Sequence, residues 1–142
     1  MLVSDIMNPQ IVSISPEETV ALAARLLSRH NIGSLPVCGG DGKIRGIVTD
    51  RDIVLRCVAA DEDPETTPVS EIMSRSVITV NPGDDVRRAS ELMGIGQVRR
   101  LPVTEEGKLV GIVSLGDMAQ ISVCDMEAAR ALGEISSNLR YR

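Results

Sequence analysis

The chain has 142 residues, enough for one domain or for two small repeats that share a core. Apolar residues make up 43% of the chain and only one residue is aromatic, so Val, Ile, Leu, Ala and Met must fill a core of thin α/β layers. The formal net charge of −5 argues against a nucleic-acid partner.

The cysteines and the hydropathy pattern exclude further classes. Three cysteines without C-x-x-C spacing, Cys38, Cys57 and Cys124, and a single histidine argue against a disulfide framework or a metal site. No apolar run approaches the roughly 20 residues that span a membrane, and the N-terminus has no signal-peptide pattern. We therefore expect a cytoplasmic protein with no membrane partner.

The sequence repeats itself. Val3-Ser4-Asp5-Ile6-Met7 returns 66 residues later as Val69-Ser70-Glu71-Ile72-Met73, and Leu35-Pro36-Val37 returns as Leu101-Pro102-Val103. The offset falls to 65 at a glycine-rich turn, where a surface hairpin tolerates an insertion. The predicted organisation is a first repeat at 1–60, a polar linker at 61–68, a second repeat at 69–121 and a helical extension at 122–142.

Each repeat is predicted to form strand, helix, strand, strand and helix, an α/β pattern. The first strand is expected near Ile11–Ile14 and Val77–Val80, where β-branched residues cluster. A proline follows at the next turn in both repeats. The pattern predicts a helix with Ser15 or Asn81 as its cap and proline at the first helical position.

The first helix of each repeat has an apolar stripe, formed by Val20, Ala23, Ala24 and Leu27 and by Val86, Ala89 and Met93. Gly94 and Gly96 each weaken the second of these helices by about 0.8–1 kcal/mol and predict a short or mobile end. Two strands around a turn follow, at Leu35–Cys38 with Ile44–Val48 and at Leu101–Thr104 with Leu109–Val113.

The extension is predicted to contain a helix at Met126–Ile135, capped by Asp125. Ala129, Leu132 and Ile135 would form its apolar face. This face needs a partner, which is either a flank of the same chain or a second subunit.

Two motifs combine a hydroxyl with an acid three residues later: Thr49-x-x-Asp52 and Ser114-x-x-Asp117. The spacing is that of a helix capping box, in which both side chains bind backbone N–H groups. The same groups also suit a polyol phosphate, because a carboxylate accepts from sugar hydroxyls and a hydroxyl donates to a phosphate oxygen. Both interpretations stay open for the sequence alone.

These motifs, in register and duplicated, resemble a tandem pair of CBS motifs, the Bateman module. The resemblance covers about residues 1–121 and rests on Ser-Asp/Glu-Ile-Met, the Ser/Asn-Pro turn, Leu-Pro-Val and Gly-x-x-Thr/Ser-x-x-Asp. In layout the chain is similar to small stand-alone two-CBS proteins of prokaryotes, including those of the hypoxic-response type.

The resemblance implies tandem βαββα repeats packed about a pseudo-two-fold axis, with two clefts that bind AMP, ADP or ATP, and in some members NAD or S-adenosylmethionine. It implies that Asp52 and Asp117 hold ribose hydroxyls and that Thr49 and Ser114 contact ribose or phosphate. Backbone groups at Ile32–Leu35 and Val98–Leu101 would line the adenine pockets. The remaining implied site residues, which lie just before the Leu-Pro-Val strand, are Arg99 and Arg100 in the second repeat, as phosphate ligands, and Gly33 and Ser34 in the first.

We hypothesise that the pseudo-two-fold brings Arg99 and Arg100 across one cleft to Thr49 and Asp52. The other cleft, with Ser114 and Asp117, would then take a less charged adenosine ligand or stay empty. The alternative for the two arginines is a solvated basic pair.

The leading functional hypothesis is a regulatory sensor module with an adenine nucleotide as regulatory ligand and no required cofactor. A homodimer is expected, and a regulated protein partner is compatible with this role. The alternative is an interaction module or dimeric scaffold with vestigial clefts. Catalysis is not expected, because the sequence offers no nucleophile–base pair, metal set or P-loop.

Overall fold

The structure is a computed structural model that describes residues 1–120 and 125–139. Cys124, the predicted end of the second repeat at 121, and the ends of the extension at 122–124 and 140–142 lie outside the described residues. In chain order the elements are α1 (Val3–Ile6), α2 (Val20–His30), β1 (Ser34–Cys38), β2 (Ile44–Thr49), α3 (Asp50–Ile53), a π-helix (Val54–Val58), a 3-10 helix (Val69–Glu71), α4 (Val86–Gly96), β3 (Arg100–Glu105), β4 (Lys108–Ser114), α5 (Leu115–Ala119) and α6 (Asp125–Leu139).

The chain divides into two compact units, each named here for the repeat whose hairpin it contains. The first-repeat unit is Val12–Val77, and the second-repeat unit combines Met1–Ile11 with the chain from Ile78 onward. Each unit has one antiparallel hairpin, β1–β2 or β3–β4, packed with helices. None of the helices in the described ranges has the length and apolar character needed to cross a bilayer.

Each unit buries its own apolar core, formed by a hairpin, the helices beside it and a short leading segment. The first-repeat core contains Ile14, Val20, Ala23, Leu27, Leu35, Val37, Val48, Cys57, Val69, Ile72 and Met73. The second-repeat core contains Val3, Ile6, Val80, Val86, Ala89, Met93, Leu101, Val103, Val113, Met118, Ala128 and Ala131.

The leading segments of the two repeats are exchanged. Residues 69–74 begin the second repeat in sequence but pack in the first-repeat unit, where Ile47 and Ser74 exchange two backbone hydrogen bonds of 2.9 and 2.8 Å. Residues 3–8 belong to the start of the first repeat but pack in the second-repeat unit, where Asn8 and Ile112 exchange bonds of 2.8 and 3.0 Å. A repeat as defined by sequence is therefore not the unit that folds together.

This exchange explains why the predicted helix starts are wrong. α2 and α4 are capped by Thr19 and Asp85, four residues after the predicted caps, and the side chains of both residues accept from backbone N–H groups. In the first-repeat unit the residues after the proline form a turn, closed by the Glu18 N–H, which donates to the Ser15 carbonyl at 3.2 Å. The Glu18 carbonyl accepts from the Val69 N–H at 2.8 Å, which holds this turn against the exchanged segment. Hydrogen bonds between distant segments thus override the local preference for a helix start at the Ser/Asn-Pro turn.

The predicted first strands are also wrong, since each is reduced to one bridging residue. Ile14 pairs with Val37, and Val80 pairs with Val103, both in parallel orientation. Exposed serines flank Ile14, and the proline that follows has no N–H to continue a ladder. The four hairpin strands form as predicted, with their ends extended by one residue or left unchanged.

The predicted stripe of α2 needs one correction, because Ala24 is exposed and Ala21 is buried. The Ala21 N–H donates to the Pro64 carbonyl at 2.9 Å, so the predicted linker covers this side of the helix. In α4 the predicted stripe is confirmed, and the position aligned with Ala24 is Ser90, which is buried.

Gly94 and Gly96 do not shorten α4, which is 11 residues long, as is α2. Gly94 is buried where α6 crosses α4, and a Cβ there would overlap the Glu134 carboxylate. The glycine therefore permits close packing of two helices, which offsets its poor helix propensity.

The predicted apolar face of α6 is confirmed at Ile135 and wrong at Ala129 and Leu132. Ala128, Ala131 and Ile135 are buried, whereas Ala129 and Leu132 are exposed. The helix packs on α4 and α5 of its own chain, and small residues at the contact let its axis approach closely. It also extends beyond the predicted end, to Leu139.

We expect a fragment of residues 12–77 to be more stable than a fragment of equal length, 1–66. The first retains Val69, Ile72 and Met73, whose burial contributes about 1.5–3 kcal/mol each. The second lacks them and carries residues 1–11, which pack in the other unit. Thermal unfolding followed by circular dichroism should give a cooperative transition only for 12–77. An equal or higher midpoint for 1–66 would contradict the exchange.

Candidate functional site

The two hydroxyl–acid motifs lie where the second strand of each hairpin ends and a helix begins, and both form complete capping boxes. In the first-repeat unit the Asp52 N–H donates to Thr49 Oγ1 at 3.0 Å, and the Thr49 N–H donates to Asp52 Oδ2 at 3.0 Å. In the second-repeat unit the matching distances between Ser114 and Asp117 are 3.0 and 3.1 Å. The capping interpretation is thus realised in both repeats, and it engages one oxygen of each carboxylate.

The residues before the first hairpin strand lie beside these caps in the same unit. Ser34 is the register partner of Thr49, and Arg100 is the partner of Ser114. The start of α5 is also joined to the residue before β3, because the Leu115 N–H donates to the Arg99 carbonyl at 2.8 Å. An equivalent bond of 3.1 Å joins the Asp50 N–H to the Gly33 carbonyl in the other unit.

Helix ends position these residues. Asn31 and Gln97 end α2 and α4 in the left-handed conformation, with φ of 51° and 56°. The N–H groups of Ile32 and Val98 then donate back to the Leu27 and Met93 carbonyls, each at 3.1 Å. This is the 6→1 bond of a Schellman motif, which turns the chain from the helix into the hairpin.

We call Ile32, Gly33, Ser34, Thr49 and Asp52 the first-repeat site, and Val98, Arg99, Arg100, Ser114 and Asp117 the second-repeat site. Each set is gathered within one unit by the bonds just described. The predicted pairing of Arg99 and Arg100 with Thr49 and Asp52 joins residues of different units and stays a prediction.

The two sites differ in what surrounds the carboxylate. Asp52 is only 8% exposed, and its second oxygen, Oδ1, lies 3.5 Å from Ser74 Oγ and 3.8 Å from Arg56 Nε. Arg56 is itself anchored, because its Nη1 donates to the carbonyls of Ile72 at 3.3 Å and Met73 at 3.5 Å.

Asp117 is half-buried, and within residues 1–120 and 125–139 its Oδ1 has no hydrogen-bond or ion-pair partner. The positions aligned with Arg56 and Ser74 are Ile121 and Asn8. Ile121 lies outside the described residues, and the Asn8 side-chain oxygen accepts locally from the Gln10 N–H at 2.9 Å.

The two sites also differ in the charge of the residues that surround them. In the first-repeat site Asp50 follows the cap, and its carboxylate lies beside Gly33, where a Cβ would sit 3.6 Å from Oδ2. In the second-repeat site Leu115 takes the place of Asp50, and Arg99 takes the place of Gly33. Both Arg99 and Arg100 are exposed, and neither forms an ion pair with another described residue. A phosphate group therefore meets two arginines in the second-repeat site that are unpaired among the described residues, whereas in the first-repeat site Arg56 is already paired with Asp52 and Asp50 adds a negative charge.

Sequence reasoning missed Arg56, Ser74 and Asp50. The i,i+4 spacing of Asp52 and Arg56 is a signal that could have indicated the ion pair. Ser74 lies 22 residues from Asp52 along the chain, and no local pattern connects the two.

The described residues contain no group of three or more metal-ligating side chains. Cys38 and Cys57 are free, and burial raises the pKa of both thiols, with nearby carboxylates as a second cause. A raised pKa keeps each sulfur protonated and makes it a poor nucleophile or metal ligand.

Comparison with known proteins identifies the relatives of this arrangement. A family model for the CBS domain matches residues 3–58 and again residues 69–123. The CBS domain-containing protein YhcV of Bacillus subtilis is 43% identical over 94% of each chain. Hypoxic response protein 1 of Mycobacterium tuberculosis is 40% identical over 82% of this chain and 81% of its own.

Solved structures agree with these relatives. Hypoxic Response Protein I, solved with two coordinated zinc ions, superposes with a TM-score of 0.77 at 38% identity, over 84% of this chain and 98% of that one. The CBS domain pair of protein MJ0100, in complex with 5′-methylthioadenosine and S-adenosyl-L-methionine, has a TM-score of 0.75 at 28% identity, over 88% and 98%. The predicted tandem CBS α/β fold is confirmed.

Replacing either capping hydroxyl should destabilise the fold. Thr49→Ala and Ser114→Ala each remove the acceptor for a helix N–H group, and we expect the free energy of unfolding to fall by about 0.5–2 kcal/mol. Chemical denaturation measures this difference. Thr66→Ala, at an exposed hydroxyl in the linker, is the matched control and should change the unfolding free energy by less than about 0.5 kcal/mol. Equal losses of unfolding free energy in all three variants would show that the two capping hydroxyls do not stabilise their helices.

Proposed function

Because the chain belongs to the CBS-domain family, we propose that it is a regulatory module that binds an adenosine-containing ligand, and that the ligand occupies the second-repeat site. One observation carries this proposal: the capping box leaves Oδ1 of Asp117 without a described partner in the unit that also contains Arg99 and Arg100. A carboxylate acceptor and two cations in one unit suit a molecule with both sugar hydroxyls and an anionic group.

Each group in this site has a proposed role. Asp117 accepts from the ribose hydroxyls, and Ser114 contacts ribose or phosphate while it caps α5. Arg99 and Arg100 bind the anionic group, a role in which guanidinium donors favour phosphate oxygens. The backbone of Val98–Leu101 contacts the adenine. This grouping differs from the sequence-based hypothesis, which paired the arginines with Asp52.

Support for the ligand class comes from a relative. The CBS pair of MJ0100, at 28% identity, was solved with two adenosine-containing molecules. For the present chain we propose AMP, ADP or ATP, whose phosphates match the two arginines, with NAD and S-adenosylmethionine as further candidates. The ligand acts by binding one conformation of the module more tightly than another, which transmits its concentration to a partner protein.

The second candidate function is a dimeric scaffold whose ligand sites are vestigial. The capping boxes favour it in one respect, since both carboxylates already have a structural role. A scaffold predicts that no adenosine ligand changes the stability of the chain, which separates it from the sensor.

An adenine-nucleotide panel tests the proposal. A ligand at 100 times its Kd stabilises the folded chain by about 2.7 kcal/mol, equivalent to a rise in Tm of roughly 5–10 °C. Asp117→Asn keeps an oxygen for the cap but removes the charged acceptor, and a charged hydrogen bond contributes about 1.5–3 kcal/mol. We therefore expect this variant to bind AMP roughly 10- to 150-fold more weakly, as measured by titration calorimetry.

Two controls sharpen this experiment. Arg99→Gln combined with Arg100→Gln should weaken AMP binding more than adenosine binding, because only AMP carries a phosphate. Arg87→Gln, an exposed arginine on α4, should change neither affinity. Absence of a thermal shift with every adenosine ligand would reject the sensor and leave the scaffold.

We also propose that the chain forms a homodimer. The π-helix exposes three apolar side chains, Val54, Leu55 and Val58, at 55%, 49% and 62% of their surface. Adjacent exposed apolar groups of this kind favour a protein contact.

Light scattering at micromolar concentration should give about twice the 15.2 kDa chain mass. Val54→Glu combined with Val58→Glu should reduce the mass to that of a monomer, because burying two carboxylates in an apolar contact is unfavourable. Ala24→Glu, at an exposed position on α2, should leave the mass unchanged. A monomeric native chain would contradict the dimer.

A further inference from the structure

The chain contains two copies of the hydroxyl–acid motif, but the surroundings of the two acids differ. We infer that Asp52 is a structural residue held by Arg56 and Ser74, and that each chain therefore binds one adenosine-containing ligand, at the second-repeat site. This inference rests on the proposed function and deepens it, because it assigns the stoichiometry and names Arg56 as the residue that keeps the first-repeat site closed.

Both oxygens of the Asp52 carboxylate already have partners. Oδ2 accepts from the Thr49 N–H at 3.0 Å, and Oδ1 faces both Ser74 Oγ and Arg56 Nε. With 8% of its surface exposed, Asp52 has little room for ribose hydroxyls. A ligand would have to displace these partners, whereas Oδ1 of Asp117 has no partner among the described residues for a ligand to displace.

Arg56 has partners of its own, which fix it over Asp52. Its Nη1 reaches the carbonyls of Ile72 and Met73, at the end of the exchanged leading segment. The same segment supplies Ser74, whose backbone pairs with Ile47 through two hydrogen bonds. The arginine thus ties the helix that carries Asp52 to a segment already held by the hairpin, and a ligand anion is not needed to satisfy it.

The negative charge of Asp50 also opposes an anionic ligand at the first-repeat site. The exposed carboxylate of Asp50 lies beside Gly33, at the position where the second repeat has Arg99. A phosphate at the first-repeat site would approach this carboxylate, and repulsion between two anions opposes binding. Closure by Arg56 and repulsion by Asp50 act in the same direction.

Calorimetry on the full chain, with AMP and uncharged adenosine as the two probes, tests the inference. The native chain should bind one AMP per chain. Asp52→Asn should keep its AMP affinity within about twofold, in contrast to the large loss expected for Asp117→Asn. A native stoichiometry of two, or a tenfold loss of affinity in Asp52→Asn, would overturn the single-site assignment.

Arg56→Gln releases Asp52 without changing the capping box, and Arg56 is 55% exposed, so the variant should fold. Its adenosine stoichiometry should rise from one towards two, because adenosine has no phosphate for Asp50 to repel. A value that stays at one would show that Arg56 does not close the site. Arg75→Gln, an exposed arginine next to Ser74, is the matched control and should retain one site.

A stability measurement separates failure of this inference from failure of the proposed function. If the three residues form one cluster, the combined variant Asp52→Asn with Arg56→Gln should lower Tm by less than the sum of the two single shifts. Additive shifts would overturn the structural role of Asp52 even if AMP binds. If the Tm shifts are coupled but the chain binds neither AMP nor adenosine, the structural role of Asp52 is supported. The proposed ligand site, and the stoichiometry of one that depends on it, are then rejected.

Discussion

The reciprocal hydrogen bonds between a strand-end hydroxyl and the acid three residues later are the interaction on which both sites depend. They start α3 and α5 immediately where the hairpins end, and they fix the direction of each carboxylate. A free aspartate on a first helical turn would sample several rotamers. The cap limits it to one and leaves a single oxygen to be used elsewhere. Capping and ligand binding are therefore compatible, because they use different oxygens of the same carboxylate.

The two repeats share the same backbone frame around the caps, and the two sites differ in a few side chains around that frame. The helix ends, the hairpin registers and the caps recur with distances that agree within about 0.3 Å. Around this common frame, Gly33 corresponds to Arg99, and Asp50 corresponds to Leu115. One copy of the site thereby carries positive charge where the other has an acidic neighbour. A shared frame allows such differences in side-chain charge without loss of the fold.

The exchanged leading segments both stabilise the units in which they pack and determine which residues surround Asp52. Because residues 69–74 complete the first-repeat hairpin, Ser74 lies next to Asp52 and the carbonyls of Ile72 and Met73 are available to Arg56. The extension has a related effect in the second-repeat unit, where α6 packs on α4 and α5. These are the helices that precede Val98–Arg100 and carry Asp117, so packing of α6 supports the elements that position the second-repeat site.

The sequence by itself determined the repeat, the four hairpin strands, the apolar stripe of α4 and the capping boxes at Thr49 and Ser114, because all of these depend on residues close together in the chain. Tertiary structure alone decided the start of α2 and α4, the buried face of α6 and the partners of Asp52. The Val69 N–H donates to the Glu18 carbonyl and Ser74 Oγ donates to Asp52 Oδ1, and these bonds between distant segments leave no periodic pattern in the sequence. The candidate residues were thus visible in sequence, whereas the inequality of the two carboxylates depends on which distant segment packs beside each one.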